Sequence, residues 1–201
     1  MINKKLQDYF SIVKESSLFK GYYNNIELNT AIPSIDKYTL REILSTNFDL
    51  HSESKGVYLI RSGGSTDKPL IFPVDIKENL YQRELIATEL LKYGMISSKT
   101  IALNLFSYCD MYRSAAILDS ILESCEATTI ACGSKSSFEF MHTTSLNFKP
   151  NILIGTPSVL SLFAKYLLDN NLRIEVDDLM FAGEYVLKSQ AELFEKVFNT
   201  K

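Results

Sequence analysis

The sequence predicts an α/β fold with a mainly parallel sheet and flanking helices. From residue 76 onward, segments with a helical spacing of apolar residues alternate with short apolar runs. Strands separated by helices of this length pair in parallel, because each connection has to cross back over the sheet. The runs are apolar nearly throughout, as expected for strands covered on both faces. With 201 residues, 46% of them apolar and 22% charged, the chain can bury a substantial core.

Residues 1–55 predict a helical N-terminal segment that packs on the α/β core, which we assign to residues 56–201. Four apolar residues recur at helical spacing near the start of the chain: Leu6, Tyr9, Phe10 and Val13. Gly21 follows as a helix end. Further along, Ser34 or Asp36 fits the capping position at the start of a second helix.

The core begins with residues 56–75, which predict a strand, a glycine turn and a second strand. Five helices are predicted after it, over 76–93, 112–125, 136–146, 157–170 and 187–198. Four strands lie between these helices, over 100–106, 127–132, 151–156 and 178–183. The first helix is expected to bury one face, made of Ile76, Leu80, Ala87, Leu90 and Leu91, and Gly94 fits its C-terminal cap.

The topology predicts where a ligand binds. Right-handed crossovers place the carboxyl ends of all parallel strands on one side, and open α/β sheets bind ligands outside those ends. The segments "SYCD", "GTPS" and "AGEY" each follow a predicted strand, so we expect them to crowd one rim. The last helix is one that would normally lead into another strand, which predicts an incomplete sheet.

Charge and composition exclude several classes of function. The net charge is −3 and the basic residues are scattered, so a nucleic-acid partner is not expected. No apolar run approaches the length of about 18 residues that a membrane span needs. The N-terminus lacks the apolar run of a signal peptide, and we expect a cytoplasmic protein. Three cysteines without a CxxC pair predict reduced core thiols and no metal site: Cys109, Cys125 and Cys132.

The stretch "SGGSTDKP" at residues 62–69 has two interpretations. Adjacent glycines let neighbouring peptide N–H groups converge on an anion, and hydroxyls with one ammonium group add charge-assisted donors. The same letters also suit a plain hairpin turn. The spacing is not that of a Walker A loop. Composition alone leaves both the phosphate loop and the turn open.

Five segments in order resemble the adenylate-forming superfamily, and specifically its phenylacetate–coenzyme A ligase-like branch. "YLIRSGGSTDKPLIF" resembles the phosphate loop of that branch, and "IPSIDKYTLRE" the segment before it. "NLFSYCDMYRSAAILDSILESCEATTIACG", "KPNILIGTPSVLSLFAKYL" and "LMFAGEYVLKSQAELFEKVF" resemble three later segments. Together they cover nearly the whole chain, as the N-terminal part of the large domain, so that 56–201 would be an incomplete adenylation domain.

The resemblance implies that a carboxylate attacks the α-phosphorus of ATP to form an acyl-adenylate, with Mg²⁺ as cofactor. Coenzyme A or a carrier thiol then takes the acyl group of the small carboxylic acid from this acyl-adenylate. The phosphate-loop positions are Ser62, Gly63, Gly64, Ser65, Thr66 and Lys68. The segment bordering the adenine is Ala182, Gly183 and Glu184, with Ala182 in place of a usual glycine. The substrate pocket would be lined by Tyr108, Thr156, Pro157 and Ser158.

Each later position also has a simpler explanation. "GTPS" is typical of a helix start, with Thr156 as cap and Pro157 in the first turn. Glu184 could be a solvated first-turn carboxylate, and Tyr108 could belong to the core.

This chain departs from the family pattern at several places. Asp67 stands where the loop usually has its last glycine, and a carboxylate about 4 Å from a phosphate charge costs about 4 kcal/mol at an effective dielectric of about 20. "MYRSAA" lacks the glycine pair of many relatives. The family's magnesium segment, ribose-binding Asp and catalytic Lys lie beyond the equivalent of residue 198, so no catalytic residue is assigned.

The alternatives are therefore the N-terminal portion of a ligase, a non-catalytic protein that binds an aromatic or acyl molecule, or a homodimer that completes the sheet.

Overall fold

The computed structural model describes residues 4–26, 34–47, 56–62 and 69–198. The chain divides into two compact units, Met1–Ile76 and Lys77–Lys201. Within the described ranges, no helix combines the length and apolar character needed to cross a bilayer.

The first unit contains helices α1 (Lys4–Glu15), α2 (Lys20–Tyr23) and α3 (Lys37–Asn47), followed by strands β1 (Val57–Arg61) and β2 (Ile71–Asp75). Phe10 of α1 and Tyr23 of α2 are buried and pack edge to face, with ring centroids 5.2 Å apart. Asp36 is the cap of α3, because its Oδ1 accepts a hydrogen bond of 2.8 Å from the Thr39 backbone N–H. This bond holds the pKa of the Asp36 carboxyl below its ordinary value.

The strands β1 and β2 form the predicted antiparallel hairpin, in a register that runs from Val57 opposite Asp75 to Arg61 opposite Ile71. The hairpin continues one residue further. The Ser62 backbone N–H donates to the Leu70 carbonyl at 2.8 Å, and the Leu70 N–H donates to Ser62 Oγ at 3.0 Å.

The second unit alternates helices and strands as predicted. Its elements are α4 (Ile76–Lys92), β3 (Ile101–Asn104), α5 (Ser114–Ser124), β4 (Thr128–Ala131), α6 (Phe138–Phe148), β5 (Ile152–Gly155), α7 (Pro157–Asp169), β6 (Asp178–Phe181) and α8 (Lys188–Phe198). The strands form a parallel sheet in the order β4-β3-β5-β6. The predicted α/β class is confirmed.

The two central strands divide the core into two layers because successive side chains point to opposite faces of a sheet. Leu103 and Leu153 belong to a cluster with residues of α6, α7 and α8. Their neighbours Ala102 and Ile152 belong to a second cluster with residues of α4 and α5. Helices therefore cover both faces, which explains why the sequences of β3 and β5 are almost wholly apolar.

The prediction for the buried face of α4 was only partly right. Ala87 is buried, but Ile76, Leu80 and Leu91 are exposed, and Arg83 is the other buried residue of the helix. A helix of 17 residues is about 25 Å long, whereas a strand of four residues spans about 13 Å. Only the middle of α4 can therefore lie against the sheet.

Replacing Phe163 of α7 should destabilise the second unit strongly. Phe163 is 0% exposed, and Phe163→Ala should lower the free energy of unfolding by about 3–5 kcal/mol because it leaves a cavity. Leu162 on the same helix is 56% exposed, and Leu162→Ala should cost less than about 1 kcal/mol. Urea denaturation followed by circular dichroism measures both. Equal losses would show that α7 buries a different face.

Candidate functional site

The carboxyl ends of β3 and β5 lie side by side at the centre of the sheet. From β3 the chain continues to β4 on one side, and from β5 it continues to β6 on the other. The position where the connections from two adjacent strands run to opposite sides is the usual ligand-binding site of an open α/β sheet. Gly155 allows the strands to approach closely here, since a Cβ at residue 155 would lie 3.2 Å from Leu105 Cβ.

The segments that follow β5 and β6 meet on this rim, as predicted. Glu184 Oε2 accepts two hydrogen bonds from Ser158, at 3.0 Å from its backbone N–H and 2.5 Å from its Oγ. We call this pair the Ser158–Glu184 clasp. Ser158 lies in the first turn of α7, so the clasp places a carboxylate at the positive end of that helix.

Thr156 and Gly183 are the neighbours of the clasp in sequence. Thr156 caps α7 by accepting from the Val159 N–H at 3.4 Å, and Pro157 stands in its first turn, so the capping explanation of "GTPS" is confirmed. Gly183 has φ of +88°, and a Cβ there would face Thr156 Cγ2 at 3.9 Å. The left-handed backbone requires glycine at this position. The predicted contact of Ala182, Gly183 and Glu184 with adenine stays a prediction.

Tyr108 lies on the rim and not in the core, because its side chain is 63% exposed. The Arg113 guanidinium carbon is 5.7 Å from the centre of the Tyr108 ring. Between them, Asp110 and Met111 both have positive φ, of 51° and 65°. These two consecutive left-handed residues fold the loop after β3 back toward the start of α5.

A cavity of about 640 Å³ opens between this loop and the end of β4. It is lined by Tyr108, Cys109, three residues of α5 and the segment 131–136. Thr156, Pro157 and Ser158 are not among its lining residues. The predicted substrate pocket is therefore divided, with Tyr108 at the cavity and the other three residues at the clasp.

A buried polar network shapes the cavity. Asn104 is 0% exposed, and its Nδ2 donates to the Ala115 carbonyl and to Asp119 Oδ1, both at 2.9 Å. Thr129 Oγ1 donates to the same Asp119 oxygen at 2.6 Å. Asp119 lines the cavity from α5. These residues form no motif in the sequence, although the single Asn in the apolar run "TIALNLF" was a usable signal.

The cysteines differ in their surroundings. Cys125 is 2% exposed, and burial raises the pKa of its thiol, as expected for a core cysteine. Cys109 and Cys132 instead line the cavity, so the prediction of core thiols was wrong for Cys109, which is half-buried at the cavity wall. Burial also raises the pKa of the Cys132 thiol, an effect that a hydrogen bond with Ser136 opposes in part.

The predicted phosphate loop is described only at its first residue. Ser62 closes the hairpin through Leu70, and because its Oγ accepts that bond, its hydroxyl hydrogen can still donate to another group. Gly63, Gly64, Ser65, Thr66, Asp67 and Lys68 lie outside the described residues, and their role stays a prediction. In the part of the chain that the structure describes, no group of three or more His, Cys, Asp or Glu side chains could hold a metal ion.

The fold resembles that of adenylate-forming enzymes. Structures of 2-hydroxyisobutyryl-CoA ligase in complex with 2-HIB-AMP and CoA superpose with a TM-score of 0.78 and 14% identity, over 98% of this chain and 46% of that one. A long-chain-fatty-acid–CoA ligase from Archaeoglobus fulgidus superposes with a TM-score of 0.55 and 15% identity, over 82% of this chain and 34% of that one. The chain thus spans less than half the length of these enzymes. No family model and no curated protein matches the sequence.

The Ser158–Glu184 clasp should appear as an energetic coupling. In a double-mutant cycle of Ser158→Ala and Glu184→Ala, the coupling energy should be about 0.5–1 kcal/mol, since the bonds are charge-assisted but exposed. Chemical denaturation measures it. Glu192→Ala removes an exposed carboxylate of α8 and should be additive with Ser158→Ala. Strict additivity of the Glu184 pair would contradict the clasp.

Cys132 should be a slow nucleophile at neutral pH. Its raised pKa leaves less thiolate at any given pH, and the thiolate is the reactive form. The pH midpoint of its alkylation by iodoacetamide, followed by peptide mass spectrometry, should lie above that of N-acetylcysteine measured in parallel. A midpoint at or below the reference would contradict this assignment.

Proposed function

We propose that this chain is the N-terminal portion of an ATP-dependent carboxylate-activating ligase of the phenylacetate–coenzyme A ligase-like branch. One observation carries the proposal. The two segments assigned to adenine and substrate by resemblance meet in the Ser158–Glu184 clasp, at the carboxyl ends of β5 and β6. The fold, shared with adenylate-forming enzymes over 98% of the chain, supports it.

The proposed reaction has two steps. A carboxylate oxygen of the acid attacks the α-phosphorus of ATP, the bond to the bridging oxygen of the β-phosphate breaks, and pyrophosphate leaves. The thiol sulfur of coenzyme A or a carrier then attacks the acyl carbon and releases AMP. The similar 2-hydroxyisobutyryl-CoA ligase holds an acyl-AMP and CoA in its structures, which supports both steps as proposals.

The rim of the second unit offers separate places for the acid and for the adenine. The cavity beside Tyr108 would hold the acid, and the segment 182–184 with the start of α7 would border the adenine. The loop 62–68 would hold the phosphates, because glycine amides, hydroxyls and Lys68 are suitable donors. Fixing the acid and nucleotide side by side is itself catalytic, since it removes most of the entropic cost of their encounter.

Magnesium would neutralise the phosphates when bound. The described residues contain no group of three or more His, Cys, Asp or Glu side chains that could hold a metal ion, and we assign magnesium no step here. In this proposal its ligands and the catalytic Lys belong to segments outside residues 1–201, as does the strand that would complete the sheet. The cytoplasmic location and the possible homodimer also stay predictions.

A second candidate is a non-catalytic protein that binds a small aromatic or acyl molecule. The observation that favours it is the cavity at β3 and β4, whose described lining residues all belong to the second unit. Asp67, where the family's loop usually has a glycine, would then be tolerated because no phosphate binds. Binding of an acid in the absence of nucleotide, together with no measurable ATP binding, would favour this candidate.

Lys68→Ala should weaken ATP binding by about tenfold or more, because a charge-assisted hydrogen bond contributes about 1.5–3 kcal/mol. Isothermal titration calorimetry of the 201-residue chain with MgATP measures the change. Lys99→Ala is the matched control, since Lys99 is exposed and precedes β3 at the opposite end of the sheet. Equal affinity of the Lys68→Ala variant and the unaltered chain would overturn the proposed nucleotide site.

A further inference from the structure

In the part of the chain that the structure describes, the Asp119 carboxylate accepts hydrogen bonds through only one of its two oxygens. Oδ1 accepts from Asn104 Nδ2 at 2.9 Å and from Thr129 Oγ1 at 2.6 Å. Within residues 4–26, 34–47, 56–62 and 69–198, no group donates a hydrogen bond to Oδ2. The structural task of joining α5 to β3 and β4 is thus complete with Oδ1 alone.

The surroundings of Asp119 suit a small organic ligand. Ala115, Ala116 and Ala131 line the same cavity, and their short side chains leave its volume of about 640 Å³ open. Binding sites for small molecules usually measure about 300–1,000 Å³ and combine apolar walls with a few fixed polar groups. Asp119 is such a group, because the bonds from fully buried Asn104 and from Thr129 fix the orientation of its carboxylate.

We propose that Asp119 determines specificity, and that the cavity takes an acid whose chain carries a hydroxyl or amino group donating to Asp119 Oδ2. The apolar part of this acid lies against the three alanines. The inference deepens the proposed function and rests on it, because the ligand has to carry a carboxylate only if the chain belongs to a carboxylate-activating ligase. An acid without the donor would strip water from Oδ2 and leave it unpaired, which is the strongest way for a site to reject an analogue.

Matched acids test the inference on the 201-residue chain without nucleotide. The probes are 4-hydroxybenzoate and 4-aminobenzoate against 4-methylbenzoate, and 6-hydroxyhexanoate and 6-aminohexanoate against heptanoate. In at least one series, calorimetry should show a donor-bearing acid binding about tenfold or more tightly than its methyl analogue. The hydroxyl and amino members show which donor the site accepts. Bound acid should also slow alkylation of Cys132, with Cys125 outside the cavity as reference.

Asp119→Asn is the decisive variant. Its amide oxygen can keep the bonds from Asn104 and Thr129, while an NH₂ donor replaces the free acceptor. The preference for the amino-bearing acids should therefore vanish, whereas a hydroxyl can still accept a hydrogen bond from the new donor. Asp169→Asn makes the same change at an exposed residue of α7 and should keep the preference. Ala116→Leu, which fills the cavity, should weaken every probe.

Three outcomes would overturn the inference. They are equal affinity within both series, no binding of any of the six acids, and either an amino preference that survives in Asp119→Asn or unchanged affinity of the probes for Ala116→Leu. Because the assay contains no ATP, failure of the ligase proposal is seen separately. A donor preference together with equal MgATP affinity of the Lys68→Ala variant and the unaltered chain would keep the specificity site and overturn the proposed nucleotide site.

Discussion

The buried side chain of Asn104 is the constraint on which this end of the sheet depends. An amide taken out of water has to find partners inside the protein. Asn104 finds them in α5 through Nδ2 and in the following backbone, where its Oδ1 accepts from the Phe106 N–H at 3.0 Å. Its own carbonyl accepts from Cys132 and Gly133 of the segment after β4. One residue therefore fixes the loop, the helix and the neighbouring strand that enclose the cavity.

The rim has two halves with different construction. At β3 and β4, a buried network supports an open cavity with few exposed charges. At β5 and β6, the Ser158–Glu184 clasp joins two exposed turns. In the proposed function, the largely apolar cavity would discriminate between small acids, and the exposed turns at the start of α7 would contact the nucleotide.

The order of elements in the second unit was predictable because apolar runs and helical periodicity are local signals. The meeting of the turns after β5 and β6 was also predictable, since it follows from parallel topology. The burial of α4 was not, because periodicity shows which face is apolar but not how far the sheet extends beneath it. Asn104 and Asp119 are 15 residues apart and carry no spacing motif. Their partnership exists only after α5 has packed on β3.

Gly155 limits how this rim can change. Any side chain at residue 155 would press on Leu105, because Leu105 Cβ lies 3.2 Å from the position of the missing Cβ, and Leu105 would have to shift by a few tenths of an ångström. Polar groups around the cavity can be exchanged one at a time during evolution or redesign, at a local cost. A side chain at 155 would instead bear on the contact between the two central strands, from which both halves of the rim extend, so new specificities on this scaffold are expected to arise with glycine retained there.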